Sequence, residues 1–318
     1  MWRLRVVARS IAVLALFWHA GSVSAQQFAI GLRSDNDMFN FWVDGHDRTD
    51  HEYTAGNTIW LEWRGDATAR SHSVASCRGV QTACVYRIRV ELAQRMYTPR
   101  MADDPDASRQ RPHAGYISAR IQSSIERDEW QRSLWLEVGA VGPIAFAREI
   151  QRLVHELVGL REKPGWDRQL PNEPVLNVGG SIRRRFSLQD VNGSRAAVEP
   201  IAMFDAGTGN VSASAGLTAA LSFGPLSRLD PGAGGYGARF EVGSHYQAVL
   251  RDVLLDGTLF TESRSVRARR AVPHAFGALA VRLQRFDLSY GVYWRGKSYV
   301  SEPGGHTFSS LEIGYRTR

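Results

Sequence analysis

Segments of about ten residues in which apolar and polar side chains alternate recur along most of the chain, and this period of two constrains the fold more than any other feature. Tyr86, Ile88, Val90 and Leu92 alternate with Arg87, Arg89, Glu91 and Ala93. Ala238, Phe240, Val242 and Tyr246 face away from Arg239, Glu241 and His245. Phe286, Leu288, Tyr290, Val292 and Trp294 face away from Asp287, Ser289, Gly291 and Arg295. Val211 to Phe223 carries apolar residues at its odd positions and small or polar ones between. Successive strand side chains point to opposite faces, so each segment has one apolar face and one charged or small face. Two architectures use such strands, a soluble β-sandwich and a transmembrane β-barrel. No segment after the N-terminus is a long apolar run, so a membrane crossing by helices is excluded. A closed barrel is the remaining way across, because it satisfies every backbone polar group between strands.

The N-terminus decides between them. Arg3, Arg5 and Arg9 precede an apolar stretch from Ile11 to Trp18, and Val23-Ser24-Ala25 offers small residues for cleavage. That is the layout of a signal peptide over residues 1–25, with an N-terminal anchor as the alternative. Export, charges directed inward, and aromatics near strand ends (Trp60, Trp63, Trp294, Tyr315) together favour the membrane barrel. Residues 26–318 are then one all-β domain, an antiparallel transmembrane barrel of about twelve strands with a short helix in an extracellular loop. The expected strands are 28–36, 52–64, 84–97, 113–126, 131–142, 172–189, 195–206, 210–224, 236–250, 272–283, 285–299 and 305–316. With both termini periplasmic, the outer connections come out mostly long and the inner ones mostly short, apart from 65–83. Arg318 stands where such a barrel is expected to finish on an aromatic residue.

The formal charge is +7, and removing three arginines with the signal leaves 7 − 3 = +4. That mild basic excess points to anionic lipid rather than nucleic acid, and nothing implies a protein partner. Cys77 and Cys84 can close a small loop as a disulfide or stand as two thiols. Cysteine and histidine are too sparse for a zinc site.

The helix of the outer loop carries Ile150, Leu153, Val154, Leu157 and Val158 as an apolar face, with Arg148, Gln151, Arg152 and His155 on the opposite stripe. Gly159 ends it. Asn36-Asp37 closes the first strand and Tyr53-Thr54-Ala55-Gly56 opens the second, so both sit at the rim from which this helix emerges. Ester hydrolysis needs parts available there. A histidine can take a proton from water, the oxygens of Asn36 and Asp37 suit calcium, and a bound cation polarises an acyl carbonyl. Thr54 can position water, metal or substrate. Each has a plainer reading: turn chemistry for Asn36-Asp37, a solvated histidine, and solvated rim charges for Arg183 to Arg185 and Arg267 to Arg270, which can also grip phosphates. No Gly-x-Ser-x-Gly elbow is present, and no serine stands out as a nucleophile.

At these residues the chain resembles the lipid A 3′-O-deacylase family of Gram-negative outer membranes. The likeness runs through Asn36-Asp37, Asp47-Arg48, Tyr53 to Gly56, Met96 to Pro99 and Arg111 to Tyr116. It is strongest over Gly142-Pro143, Glu149, Gln151, His155, Gly159, Gly165-Trp166, Gln169-Leu170 and Asn172 to Pro174, and returns at Leu255 to Gly257 and Ser263 to Val266. The resemblance implies a twelve-stranded barrel with its site between the wall and an outer-loop helix. It also implies a calcium-dependent mechanism with lipid A, the lipid anchor of lipopolysaccharide, as substrate. By carry-over His155 is the base, Asn36 and Asp37 lie at the calcium and oxyanion site, and Thr54 lies beside them. Arg111 and Glu149 match family positions and are expected at the substrate. Gln110, His113 and Ala55 depart from the usual Asp, Tyr and Asn. A lipopolysaccharide-binding or porin-like barrel without catalysis, and an outer-membrane phospholipase, are the other readings.

Overall fold

The computed structural model of the chain describes residues 27–40, 52–67, 84–100, 109–159, 164–186, 198–224 and 236–317. The expected signal segment and Cys77 lie outside these residues, while Cys84 is buried at 2% exposure. Twelve strands are present: β1 (Gln27–Asn36), β2 (Glu52–Ala67), β3 (Cys84–Thr98), β4 (Ala114–Arg127), β5 (Trp130–Val141), β6 (Glu173–Arg185), β7 (Val198–Gly209), β8 (Ser212–Phe223), β9 (Tyr236–Asp252), β10 (Ala271–Leu283), β11 (Phe286–Arg295) and β12 (His306–Arg316). Each is antiparallel to its sequence neighbours, and β1 pairs with β12 from Ala29↔Arg316 to Asn36↔Ser309. The sheet is therefore a closed barrel without a free edge. The ten residues of β1, at a rise of about 3.3 Å and a tilt near 45°, give a wall height of roughly 23 Å, close to the apolar band of outer-membrane barrels.

Burial follows the alternation. On β9 the residues Tyr236, Phe240, Val242, Tyr246 and Leu250 are exposed on the outer face. Their neighbours point into the lumen, where Glu241 accepts two hydrogen bonds from Arg183 Nη2, at 3.2 and 3.0 Å, and the ring of His245 meets that of His274 at 5.3 Å. Aromatics on the outer face gather at the end carrying the termini: Phe28 against Trp63 at 5.6 Å and Phe286 against Tyr315 at 5.3 Å. Tyr315 thus takes the place of the expected terminal aromatic. Arg184 also points outward there, its guanidinium 5.1 Å from the Trp130 ring, as a snorkelling cation at a membrane interface does.

One expectation is corrected. Trp60 belongs to the lumen, not to an aromatic girdle: it is 6% exposed, with Arg89 stacked over it at 4.3 Å. It fits because Gly31 lacks a Cβ, which would lie 2.2 Å from the indole. The described part of β6 ends at Arg185 and that of β7 begins at Val198. At that end Arg183 is engaged inside and Arg184 outside the wall, so this run is not at the rim that carries the helix.

Candidate active site

The site begins where β1 leaves the sheet. Asn36 is extended, and its Oδ1 accepts the Met38 N–H at 2.7 Å, capping a single 3-10 turn over Asp37–Phe39. The turn chemistry is therefore real, and it serves to fold the chain back onto the outer surface of β12. Asn40 Nδ2 donates to the Thr307 carbonyl at 2.8 Å, Ser309 Oγ donates to Asn40 Oδ1 at 2.7 Å, and the Tyr290 hydroxyl donates to the Phe39 carbonyl at 3.0 Å. This packing buries the Asp37 side chain to 2% exposure.

The next strand supplies the neighbouring wall. A bulge between Tyr53 and Ala55 shifts the register of β2 against β3. Such an extra residue re-aims side chains without ending the strand. Tyr53 turns into the lumen and donates to Asp35 Oδ2 at 2.7 Å. Gly56 is required beneath it, because a Cβ there would lie 1.9 Å from the Tyr53 hydroxyl. Thr54 turns outward, and its hydroxyl meets that of Thr98 at 2.7 Å. Ala55 pairs with Asn36 on one side and Met96 on the other.

Across this outer surface lies the helix. After Phe146, in the left-handed region at φ 53°, α1 (Ala147–Val158) runs to Gly159, which caps it at φ 75°. Ala147, Gln151 and His155, spaced by four residues and so on one stripe, are buried at 1%, 2% and 6% exposure. Ala147 packs with Ala55, Met96 and Trp166. The Trp166 indole N–H donates to Gln151 Oε1 at 2.6 Å, and the His113 ring lies 5.1 Å from the Trp166 ring. Gly115 lets the helix approach, since a Cβ on it would lie 2.9 Å from the Cβ atoms of Ala145 and Ala147. The structure settles which side of the helix meets the wall. Its polar stripe, Gln151 and His155, faces the wall, while Leu153, Val154 and Leu157 are exposed at 57%, 41% and 77%. In a bilayer the outward side is the apolar one, so the helix turns inside out relative to a soluble protein. Arg148 and Arg152 stay exposed with Glu149.

A family model described as "Outer membrane protein LpxR" matches residues 7–317. The chain belongs to the LpxR family. As a member it is an outer-membrane protein, and its barrel agrees with that of LpxR from Salmonella typhimurium, which is 17% identical, with a TM-score of 0.72 over 90% of this chain and 99% of that one. The β-domain of the Bordetella autotransporter BrkA is 12% identical, covers 92% of this chain and 99% of its own, and has a TM-score of 0.41. No curated protein matches the chain in sequence.

The LpxR-family barrel keeps the expected residues in two separate places. Asn36, Asp37, Thr54 and the stripe ending in His155 share the outer face, with Ala55 as the common neighbour of Asn36 and Ala147. Glu149 is on the helix but solvent-exposed. Arg111 is inside the barrel mouth, 1% exposed. Its guanidinium lies 4.7 Å from the Tyr97 ring and its Nη1 lies 3.5 Å from Glu52 Oε2. There it belongs to a buried network in which Arg295 reaches Glu52 at 3.8 Å and Glu302 at 3.2 Å, and the Tyr299 hydroxyl donates to Glu52 at 2.9 Å. Arg111 thus braces the mouth rather than the helix side of the wall. The same network occupies the barrel mouth, so single-channel recording in planar bilayers is expected to show no porin-sized steps; stable open conductance would contradict it.

Residues that the sequence did not single out for a role complete the site: Thr98 as the partner of Thr54, and the Trp166–Gln151 hydrogen bond with His113 against it. Only their place in the matched motifs hinted at them. Burial, and then the charges of Arg264 and Arg168, lower the His113 pKa from 6.5 to about 4. His113 is neutral in the fold and takes up a proton near pH 6.5 when released. The stability it contributes is full above that pH and falls away as pH drops toward 4, up to about 3 kcal/mol. Amide exchange over residues 164–170 is expected to accelerate across that window, and His113→Phe is expected to flatten the acid response.

Proposed function

We propose that this barrel is a lipid A deacylase that hydrolyses the ester of the 3′-linked acyloxyacyl group at the cell-surface end of the outer membrane. The observation that carries this reading is the buried His155 on the helix stripe that faces the wall bearing Asn36, Asp37 and Thr54. In this reading the imidazole of His155 takes the proton of a water molecule as the water oxygen attacks the acyl carbonyl, and returns it to the departing sugar oxygen. The Thr54 hydroxyl, already bonded to Thr98, orients water or the ester. The apolar side of α1 rests among acyl chains, so a lipid ester approaches the wall without leaving the bilayer.

The donor set fits a hard cation. Asp37 brings a buried carboxylate, and Asn36 and the carbonyls of the 3-10 turn bring neutral oxygens, the ligand types calcium takes. Among the described residues no three His, Cys, Asp or Glu side chains cluster as a metal site, so waters and carbonyls would complete the shell, and affinity would be modest. Calcium held there would stabilise the developing oxyanion. Arg267 and Arg269, exposed at the same end, suit the phosphates of the lipid A headgroup.

Purified protein in mixed micelles tests the reading. Fatty-acid release from lipid A is expected with calcium, and chelation is expected to lower it by about 10²-fold or more, the size of losing one oxyanion contact. Release from glycerophospholipid but not from lipid A would make the protein a phospholipase instead. Release that chelators leave unchanged would remove calcium from the mechanism.

A further inference from the structure

The end of the barrel opposite α1 encloses a second place with a chemistry of its own. Inward side chains of β1 to β3 and β9 to β12 surround a cavity of about 250 Å³ there. Arg64, Arg87, Arg89, Arg239, Arg282 and Arg316 line it. Glu62, Asp287 and Glu312 are the carboxylates among the lining residues.

Compensation inside the cavity is thin. Arg282 Nε and Arg316 Nη2 converge on one oxygen, Asp287 Oδ1, at 3.0 and 2.7 Å. Arg87 spends its Nη2 on Glu126, at 2.8 Å, and Arg89 its Nε on Glu91, also at 2.8 Å, neither of which lines the cavity; of the lining acids, Glu62 lies 3.8 Å from Arg89 Nη1. Arg239 reaches no carboxylate within 4.0 Å among the described residues. The Nε atoms of Arg87 and Arg316 are buried without an acceptor. Guanidinium donors left over in an enclosed space call for oxygens, and the fork geometry of arginine matches a tetrahedral oxyanion with paired hydrogen bonds. A cavity lined only to stiffen the barrel would pair its charges within the wall, as Arg183 and Glu241 do.

We propose that this cavity binds a phosphate-type oxyanion entering from the end that carries the two termini. It is independent of the hydrolytic site, which lies on the outer face at the other end. Trp60 lines the cavity with Arg89 stacked over its indole, so a ligand that draws on Arg89 alters Trp60 emission.

The test titrates the full-length barrel with inorganic phosphate at constant ionic strength, against chloride, and reads tryptophan emission. A saturable change is expected with phosphate alone, and it is expected to vanish in Trp60→Phe. Calorimetry is expected to give a Kd about tenfold weaker in Arg239→Gln and in Arg87→Gln, as for loss of one charge-assisted contact. Arg239→Lys, which keeps the charge, is expected to fall between. Heat-modifiable mobility in gels checks that each variant is a closed barrel. Repeating the titration in nanodiscs distinguishes the source of the oxyanion: an unchanged Kd with anionic phospholipid means a soluble ligand, and competition means a lipid headgroup supplies the same chemistry. No saturable response beyond that of chloride, or wild-type affinity in both glutamine variants, overturns the proposal.

Discussion

His155→Ala is expected to lower fatty-acid release from lipid A by about 10²- to 10⁴-fold, the contribution typical of a positioned general base. The barrel should survive the change. His155 sits on a helix outside the closed sheet, and the ladders from β1 through β12 do not involve it. Heat-modifiable mobility should therefore match wild type while turnover collapses. His155→Gln keeps hydrogen-bonding capacity but cannot act as a base near neutral pH, so it should be as inactive as the alanine variant. Near-full turnover in either would remove His155 from the chemistry.

The second large effect lies at Gly115, which touches no reacting group. A Cβ added there would lie 2.9 Å from the Cβ atoms of Ala145 and Ala147, so its absence is what lets the helix seat on the wall. Gly115→Leu must push α1 off the wall, since overpacking a fitted contact costs about 1–3 kcal/mol and lifting the helix costs less than deforming the sheet. A shift of about 1 Å at a catalytic base lowers rate by on the order of 10²-fold. Gly277→Leu is the control: it lies on the same outer surface, but the nearest atom to its would-be Cβ is 3.8 Å away. Activity should fall by about 10²-fold in the first variant and stay level in the second. Equal activities would mean that the seat of the helix does not position the base.

Most strand limits are legible in the sequence because two solvents enforce them. Lipid selects the apolar residues of β9 and β11, and the lumen selects their charged neighbours, so the period of two survives over the full height of the wall. Where one residue type serves both sides, the reading fails. Trp60 reads like a girdle tryptophan, and only the gap left by Gly31 reveals that it points inward. The helix is only half legible for a related reason. Its residues give the periodicity correctly, but which side is buried depends on what surrounds it, and Leu153, Val154 and Leu157 face outward where a soluble fold would bury them. The candidate site was legible as a list of residues at one end. Its assembly was not, because the placing of Thr54 on the outer face depends on a bulge at Tyr53, and the meeting of Asn36 with Ala55 depends on register. Arg111 shows the limit of motif matching: position in a motif does not say on which side of the wall a side chain lies.

The central claim is that ester hydrolysis of lipid A takes place between this wall and α1. Mass spectrometry of lipid A from a Gram-negative host expressing either wild type or His155→Ala tests it most directly. Loss of an acyloxyacyl mass with wild type alone is the predicted result. Unchanged lipid A with both, when both are folded in the outer membrane, would contradict it.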